Sequence, residues 1–287
     1  MDLNILRDVA VKAAIEAGEK LKKGFGSTFK ISSKEGVHNL VTEYDLIAEQ
    51  TIISTIKNKF PDHFILSEEA GANNSHSEYR WIIDPLDGTV NFAHSIPIFC
   101  VSIGVEFQSE MLCGVIYNPM LDELFIAEKG KGATLNGEPI SVSTTSKLAD
   151  SILVTGFPYD VANNANGCID DIVTILKLGL PIRRLGSAAL DLAYLAAGRF
   201  DGYWESKLNP WDIAAGMLIV REAGGKITHY DNSEYQLSNG TVLATNSLIH
   251  SELSLALHPN LTSVTNLILS QLDNGLNLLV DLGDNFS

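Results

Sequence analysis

The sequence predicts an α+β fold made of two joined halves, 1–148 and 149–258, with a C-terminal extension over 259–287. Three observations carry that expectation. Helical periodicity dominates up to about residue 59, antiparallel strand signals take over between about 99 and 142, and strands and helices alternate from 151 onward. At 287 residues, 45 % of them apolar and 19 % charged, the chain is long enough to bury a substantial core.

Leu3, Leu6, Val9, Ala10, Ala13, Ala14, Ala17 and Leu21 recur at helical spacing, which predicts an amphipathic helix over 2–23 that Gly24 and Gly26 end. A loop at 32–36 precedes a second helix, 43–59, which stops before Pro61. Phe64-Ile65-Leu66 reads as a short strand running out at Ser67-Glu68-Glu69, and polar residues 71–79 read as a loop before the strand that carries Asp84. The segments 101–107, 112–117, 123–127 and 133–135, with the turn Asn136-Gly137, form an antiparallel meander. Beyond it come a strand at 151–155, a helix at 167–178, a strand at 181–185, a helix at 187–197 and a strand at 200–204. A helix at 211–223, ended by Gly224-Gly225, is followed by strands at 226–230 and 241–245. In 259–287, Leu261, Val264, Ile268, Leu272 and Leu279 share one helical face; the expectation is a surface helix on its own domain, of unknown role.

Charge narrows the function. Thirty-five acidic against 20 basic side chains give a net charge of −15. Such a field disfavours nucleic acid and anionic membrane, since binding to phosphate backbones needs clustered Lys and Arg. It repels a phosphorylated metabolite too, unless bound cations reverse the local sign. Cys100, Cys113 and Cys168 are odd in number and far apart, so neither a disulfide framework nor a zinc knuckle is expected, and a cytoplasmic location is. There is no signal-peptide pattern and no apolar run near the ~18 residues that span a bilayer.

The richest stretch is Trp81-Ile82-Ile83-Asp84-Pro85-Leu86-Asp87-Gly88-Thr89-Val90-Asn91-Phe92. An apolar strand ends on a carboxylate, Pro85 fixes the next backbone dihedral, a second carboxylate follows, and Gly88 turns the chain into a helix start. Carboxylates attract hard cations and helix N-termini attract phosphate, so the pair fits metal-assisted phosphate chemistry. Each acidic position also has a plain structural reading. Asp84 and Asp87 suit a turn, Glu68-Glu69 suits a solvated surface, and Asp45 and Asp212 suit first helical turns, the latter behind Asn209-Pro210. The seven histidines make no HExxH or HxH pair, and there is no GxxxxGK[ST], GxSxG or GxGxxG motif.

Glu68-Glu69, Asp84-Pro-Leu-Asp87-Gly-Thr89-x-Asn91-Phe92 and Trp211-Asp212-x-Ala-Ala-Gly, in this order and spacing, resemble the signature set of the inositol monophosphatase family over about 5–257. The resemblance implies an α-β-α-β-α sandwich of the sugar phosphatase type, usually dimeric, with Mg²⁺-dependent, lithium-sensitive phosphomonoesterase activity. It implies that Glu68, Asp84 and the carbonyl of Leu86 hold one Mg²⁺, that Asp84, Asp87 and Asp212 hold a second, and that a third, looser ion sits near Glu68. Thr89, bonded to Asp45, would orient the attacking water, with Glu68 also in the catalytic set. The amides of Gly88 and Thr89 would receive phosphate, Asp87 and Asp212 would face the substrate, and Gly186-Ser187-Ala188 with Glu205 would hold its hydroxyls. Lys34 matches a mobile-loop lysine that helps close the site. The substrate expected is a small phosphorylated polyol, inositol 1-phosphate first. Fructose 1,6-bisphosphate, histidinol phosphate and 3′-phosphoadenosine nucleotides are alternatives on the same fold, and a non-catalytic binding protein is a remote one.

Overall fold

The computed structural model describes residues 2–33, 40–237 and 240–257. In chain order its elements are α1 (Leu3–Gly24), β1 (Ile31–Ser33), β2 (Leu40–Thr42), α2 (Glu43–Lys59), β3 (Phe64–Ser67), β4 (Gly71–Ala72), β5 (Tyr79–Asp87), α3 (Thr89–Ala93), β6 (Cys100–Phe107), β7 (Glu110–Asn118), β8 (Glu123–Glu128), β9 (Gly132–Leu135) and β10 (Glu138–Ile140). These are followed by β11 (Leu153–Thr155), α4 (Cys168–Lys177), β12 (Ile182–Arg183), α5 (Ala188–Ala196), β13 (Gly202–Ser206), α6 (Pro210–Glu222), β14 (Lys226–Thr228), β15 (Thr241–Thr245) and α7 (His250–Leu257).

Two sheets organise the molecule. The first has eight strands in the order β10-β9-β8-β7-β6-β5-β3-β4, and the second has five in the order β12-β11-β13-β15-β14. The meander β5 to β10 is antiparallel throughout, whereas β3 runs parallel to β5, and β11 runs parallel to both β12 and β13. Alternation along each strand decides which layer it feeds. Trp81 and Ile83 of β5 join Val101, Ile103 and Val115 under α1 and α2, where the helices contribute Leu6, Ala10, Ala13, Ala17 and Ile52. Ile82, Ile116 and Phe125 point the other way, into a central core shared with α5, α6, Val154 and Tyr203. Leu153, Trp204 and Leu243 face a third core with Ile175 of α4 and Leu253 of α7. Helix pair, sheet, helix pair, sheet, helix pair is the expected α-β-α-β-α sandwich. Among the described residues no helix is long and apolar enough to cross a membrane.

The seat of α6 matters most for function. Gly104 of β6 and Gly114 of β7 are register partners, so the sheet there is bare of side chains. A Cβ on Gly104 would meet the Ala214 Cβ at 2.8 Å, and one on Gly114 would meet the Ala215 carbonyl oxygen at 2.6 Å. The two glycines admit the backbone of α6 directly onto the sheet, and Asp212 rides in its first turn. Gly114→Ala pushes against main chain that cannot rotate away, so urea unfolding should show a loss of about 1–3 kcal/mol. An unchanged midpoint would mean that α6 is not tightly seated.

The expected elements differ from the observed ones mainly in length. Part of the expected 32–36 loop pairs as β1 with β2, and β4 lies inside the expected 71–79 loop. The expected strand at 181–185 shortens to Ile182–Arg183, the strand at 200–204 becomes Gly202–Ser206, and β10 and α7 were not expected. The helix after Gly88 forms but has only five residues. Its dipole is therefore small, and attraction of phosphate there rests on individual N–H groups. Lys34 and the 259–287 segment lie outside the described residues.

Candidate active site

Four chain segments deliver acids to one end of the first sheet. Glu68 follows β3, and Asp84 and Asp87 end the adjacent parallel strand β5. The β5–β6 ladder pairs Asp84 with Ser102 and Asp87 with Cys100 but is irregular between them, at Pro85-Leu86. Pro85 has no N–H to give the ladder, so the strand kinks there. Leu86 N–H turns back to donate to Asp84 Oδ1 at 3.0 Å, which fixes a fully buried carboxyl. Asp212 arrives on α6 and Asp45 on α2, each as the third residue of its helix. Both close their own helix with one oxygen: Thr42 N–H donates to Asp45 Oδ2 at 2.8 Å, and Asn209 N–H donates to Asp212 Oδ2 at 2.7 Å. The structural and functional readings of these two acids are therefore compatible, because a carboxylate has a second oxygen to offer.

That second oxygen of Asp45 meets Thr89. The Thr89 hydroxyl lies 2.9 Å from Asp45 Oδ1 and 3.0 Å from the Leu86 carbonyl oxygen. It has one proton, so when it donates to Asp45 its lone pairs are available to a third group. Gly88 makes this corner. Its φ of +96° is left-handed, and a Cβ would stand 2.9 Å from the Ile98 carbonyl oxygen.

Asp87 ties in the second sheet's half of the site. Its Oδ2 accepts from Ser187 Oγ and from Ala189 N–H, both at 2.7 Å, so it caps α5 from outside. Asn91 Nδ2 donates to the carbonyls of Ile98, at 2.8 Å, and Leu185, at 2.9 Å, pulling the Gly186-Ser187-Ala188 turn toward α3. On α2, Glu49 Oε1 accepts from Ala70 N–H at 2.8 Å and Glu69 N–H at 3.2 Å, steadying the backbone just after Glu68.

The electrostatics are those of a cation site. Burial, then the charges of Glu68, Asp87 and Asp212, hold the Asp84 carboxyl well above its ordinary range. Asp212 is raised in the same way, by burial first and then by Asp87 and Glu68. Asp87 is pushed up to about 6 by burial and by Glu68, against the lowering hydrogen bonds from Ser187 and Ala189. Asp45 is pushed up to about 6 by burial, opposed by its bonds to Thr42 and Thr89. The charges acting on Asp84 are all negative. Among the described residues no three His, Cys, Asp or Glu side chains are grouped tightly enough to hold one ion as they stand. The donor set is nevertheless right for a hard divalent ion. Glu68, Asp84, Asp87 and Asp212 offer only oxygen, the Leu86 carbonyl adds a neutral one, and an ion among them would offset the repulsion that raises each acid.

The structure thus brings together Glu68, Asp84, Leu86, Asp87, Gly88, Thr89, Asp45, Asp212, Gly186, Ser187 and Ala188. Glu205 reaches the same region from β13, and its charge acts on Asp212. The residues that support these positions, Asn91, Glu49, Gly156 and Tyr203, were given no role from the sequence. Asn91 alone carried a signal, as part of the Asp84–Phe92 run; the others act across sequence separations that no local pattern records. The three cysteines are all buried and unpaired with one another.

Comparison with known proteins gives the family. A sequence model of the inositol monophosphatase family matches residues 2–263. An inositol-1-monophosphatase of Synechocystis is 48 % identical over 257 residues, covering 89 % of this chain and 90 % of its own. The Nus factor SuhB of Escherichia coli K12 is 42 % identical over 241 residues, 83 % of this chain and 90 % of its own. The solved inositol monophosphatase of Anabaena superposes with a TM-score of 0.80 at 43 % identity, covering 90 % of this chain and 96 % of its own. The chain belongs to the inositol monophosphatase family and is an enzyme of its metal-dependent, phosphomonoester-hydrolysing kind.

Proposed function

We propose that the enzyme hydrolyses the phosphate monoester of a small polyol, inositol 1-phosphate foremost, by attack of water on phosphorus. The observation that carries the reading is the Thr89–Asp45 pair standing beside buried, mutually repelling carboxylates. Glu68, Asp84 and the Leu86 carbonyl would hold one Mg²⁺, Asp84, Asp87 and Asp212 a second, and Glu68 a third, looser one. Bound Mg²⁺ would lower the pKa of water and neutralise charge on the departing alkoxide.

The chain's own groups do the rest. Asp45, ionised at neutral pH, accepts the Thr89 proton, which leaves the Thr89 oxygen to accept a hydrogen bond from the attacking water and aim it. Thr89 is a poor base, so its task is orientation. The N–H groups of Gly88 and Thr89 meet the phosphate oxygens. Phosphorus gains the water oxygen with one of its protons, its bond to the alcohol oxygen breaks, the departing alkoxide takes up a proton from solvent in place of the one the water gives up, and inorganic phosphate and free polyol result. The Gly186-Ser187-Ala188 turn and Glu205 receive the substrate's hydroxyls, and Lys34 assists closure. The family's homodimer and lithium sensitivity belong to the same proposal, read by sedimentation mass and by Li⁺ titration of turnover, as does a cytoplasmic location. Residues 1–148 and 149–258 are proposed as the two halves that meet at this site.

The substrate is tested by kcat/KM on inositol 1-phosphate, fructose 1,6-bisphosphate, histidinol phosphate and 3′-phosphoadenosine 5′-phosphate. Inositol 1-phosphate should lead by about tenfold or more, the discrimination that a few matched hydroxyl contacts provide. A lead for any of the others would reassign the substrate while keeping the chemistry.

A further inference from the structure

Glu205 is held by two residues outside the family-like motifs. Tyr203 and Glu205 are two apart on β13 and so face the same side, toward α5 and α6. Tyr203 is completely buried, and its hydroxyl donates to Glu205 Oε2 at 2.8 Å. The β11–β13 register pairs Thr155 with Trp204, and Thr155 Oγ1 donates to the Trp204 carbonyl at 2.6 Å, which places Gly156 beside Glu205. A Cβ on Gly156 would lie 2.1 Å from Glu205 Oε2 and 2.4 Å from both Oε1 and the carboxyl carbon. The carboxylate therefore lies flat on a bare stretch of main chain, with a buried O–H on one oxygen.

The surroundings make that donor matter. Asp87 repels the Glu205 charge, and the Arg184 guanidinium attracts it. Asp191 of α5 faces Glu205 as well, and Asp191 Oδ1, fully buried, has no hydrogen-bond partner among the described residues. Without a fixed donor, an acid among acids turns away or takes up a proton. Its ability to accept from a substrate hydroxyl is then lost.

We propose that Tyr203 and Gly156 are positioning residues that set the preference for hydroxylated phosphate esters, by locking the Glu205 carboxylate in the orientation that meets the hydroxyls. The inference rests on the reading of Glu205 as a hydroxyl contact. It concerns substrate choice, because the group that Tyr203 and Gly156 both contact is Glu205.

The readout is the ratio of kcat/KM for inositol 1-phosphate to that for p-nitrophenyl phosphate, an ester with no hydroxyls to recognise. Tyr203→Phe keeps the ring in its core and should lower this ratio about tenfold, through KM, as loss of one hydrogen bond to a charged group predicts. Gly156→Ala should move it in the same direction. In a Glu205→Gln background, Tyr203→Phe should change the ratio less than about twofold, because the two residues act as one unit. An equal fall on both substrates, or the same fall with and without the Glu205 carboxylate, overturns the proposal. If Glu205→Gln lowers the ratio and Tyr203→Phe does not, the reading of Glu205 stands and this inference alone fails. If Glu205→Gln leaves the ratio unchanged, the hydroxyl contact itself is wrong and the inference falls with it.

Discussion

Asp84→Asn should lower kcat for inositol 1-phosphate by about two to three orders of magnitude in saturating Mg²⁺, the scale on which one preorganised charge-handling group is lost. The same change should leave the metal-free protein as stable as the wild type or more so. The sign follows from the raised Asp84 carboxyl. A group whose folded pKa lies above its unfolded value contributes its full stability below the unfolded pKa and loses it as pH rises through the folded one. At neutral pH and without metal, above the unfolded pKa of these acids, keeping them in the folded cluster therefore opposes folding, and an uncharged isostere at its most buried member relieves that. Mg²⁺ should raise the wild-type Tm through preferential binding to the folded state and raise the variant's much less. Wild-type turnover in Asp84→Asn, or an equal Mg²⁺-induced rise in Tm, would show that Asp84 does not hold the ion.

Thr89→Ala should reduce kcat about a hundredfold and change KM less than about threefold, because a group that aims the water acts in the transition state rather than in ground-state binding. Thr89→Ser should recover most of the rate, since its hydroxyl can reach Asp45 Oδ1 in the same way. Losses confined to KM would assign Thr89 to substrate binding. Serine and alanine variants that are equally slow would make the methyl group, and not the hydroxyl, the part that matters.

How much of this was legible in the sequence follows from how local each signal is. Asp84 to Gly88 is one short run, so a strand end with two acids and a glycine turn into a helix can be read directly, and the structure has both. The order of helices and strands was readable as well, because α1 and the meander have clear periodicity and Pro61 marks the end of α2; the layering came with the family resemblance. Asp45 and Asp212 looked like first-turn helix residues, and they are; that they also face the site depends on where α2 and α6 land on the sheet. The landing of α6 depends on Gly104 meeting Gly114 across two strands, a register that no single strand announces. Tyr203 and Gly156 were invisible for the same reason. The tyrosine reads as an ordinary core residue, and the glycine is needed only because Glu205 packs on it. The short edge strands β1, β4 and β10 lack enough residues to show a period, and the boundaries of β12 and β13 were set by tertiary pairing rather than by composition.

The central claim, that an acidic protein handles phosphate esters through divalent ions held by its own carboxylates, has a direct test. Phosphate release from inositol 1-phosphate is followed with protein stripped by EDTA and then resupplied with Mg²⁺. The stripped enzyme should release no phosphate above background, and added Mg²⁺ should restore turnover in the wild type but not in Asp84→Asn. Undiminished release from the stripped protein, or none after Mg²⁺ is returned, would contradict it.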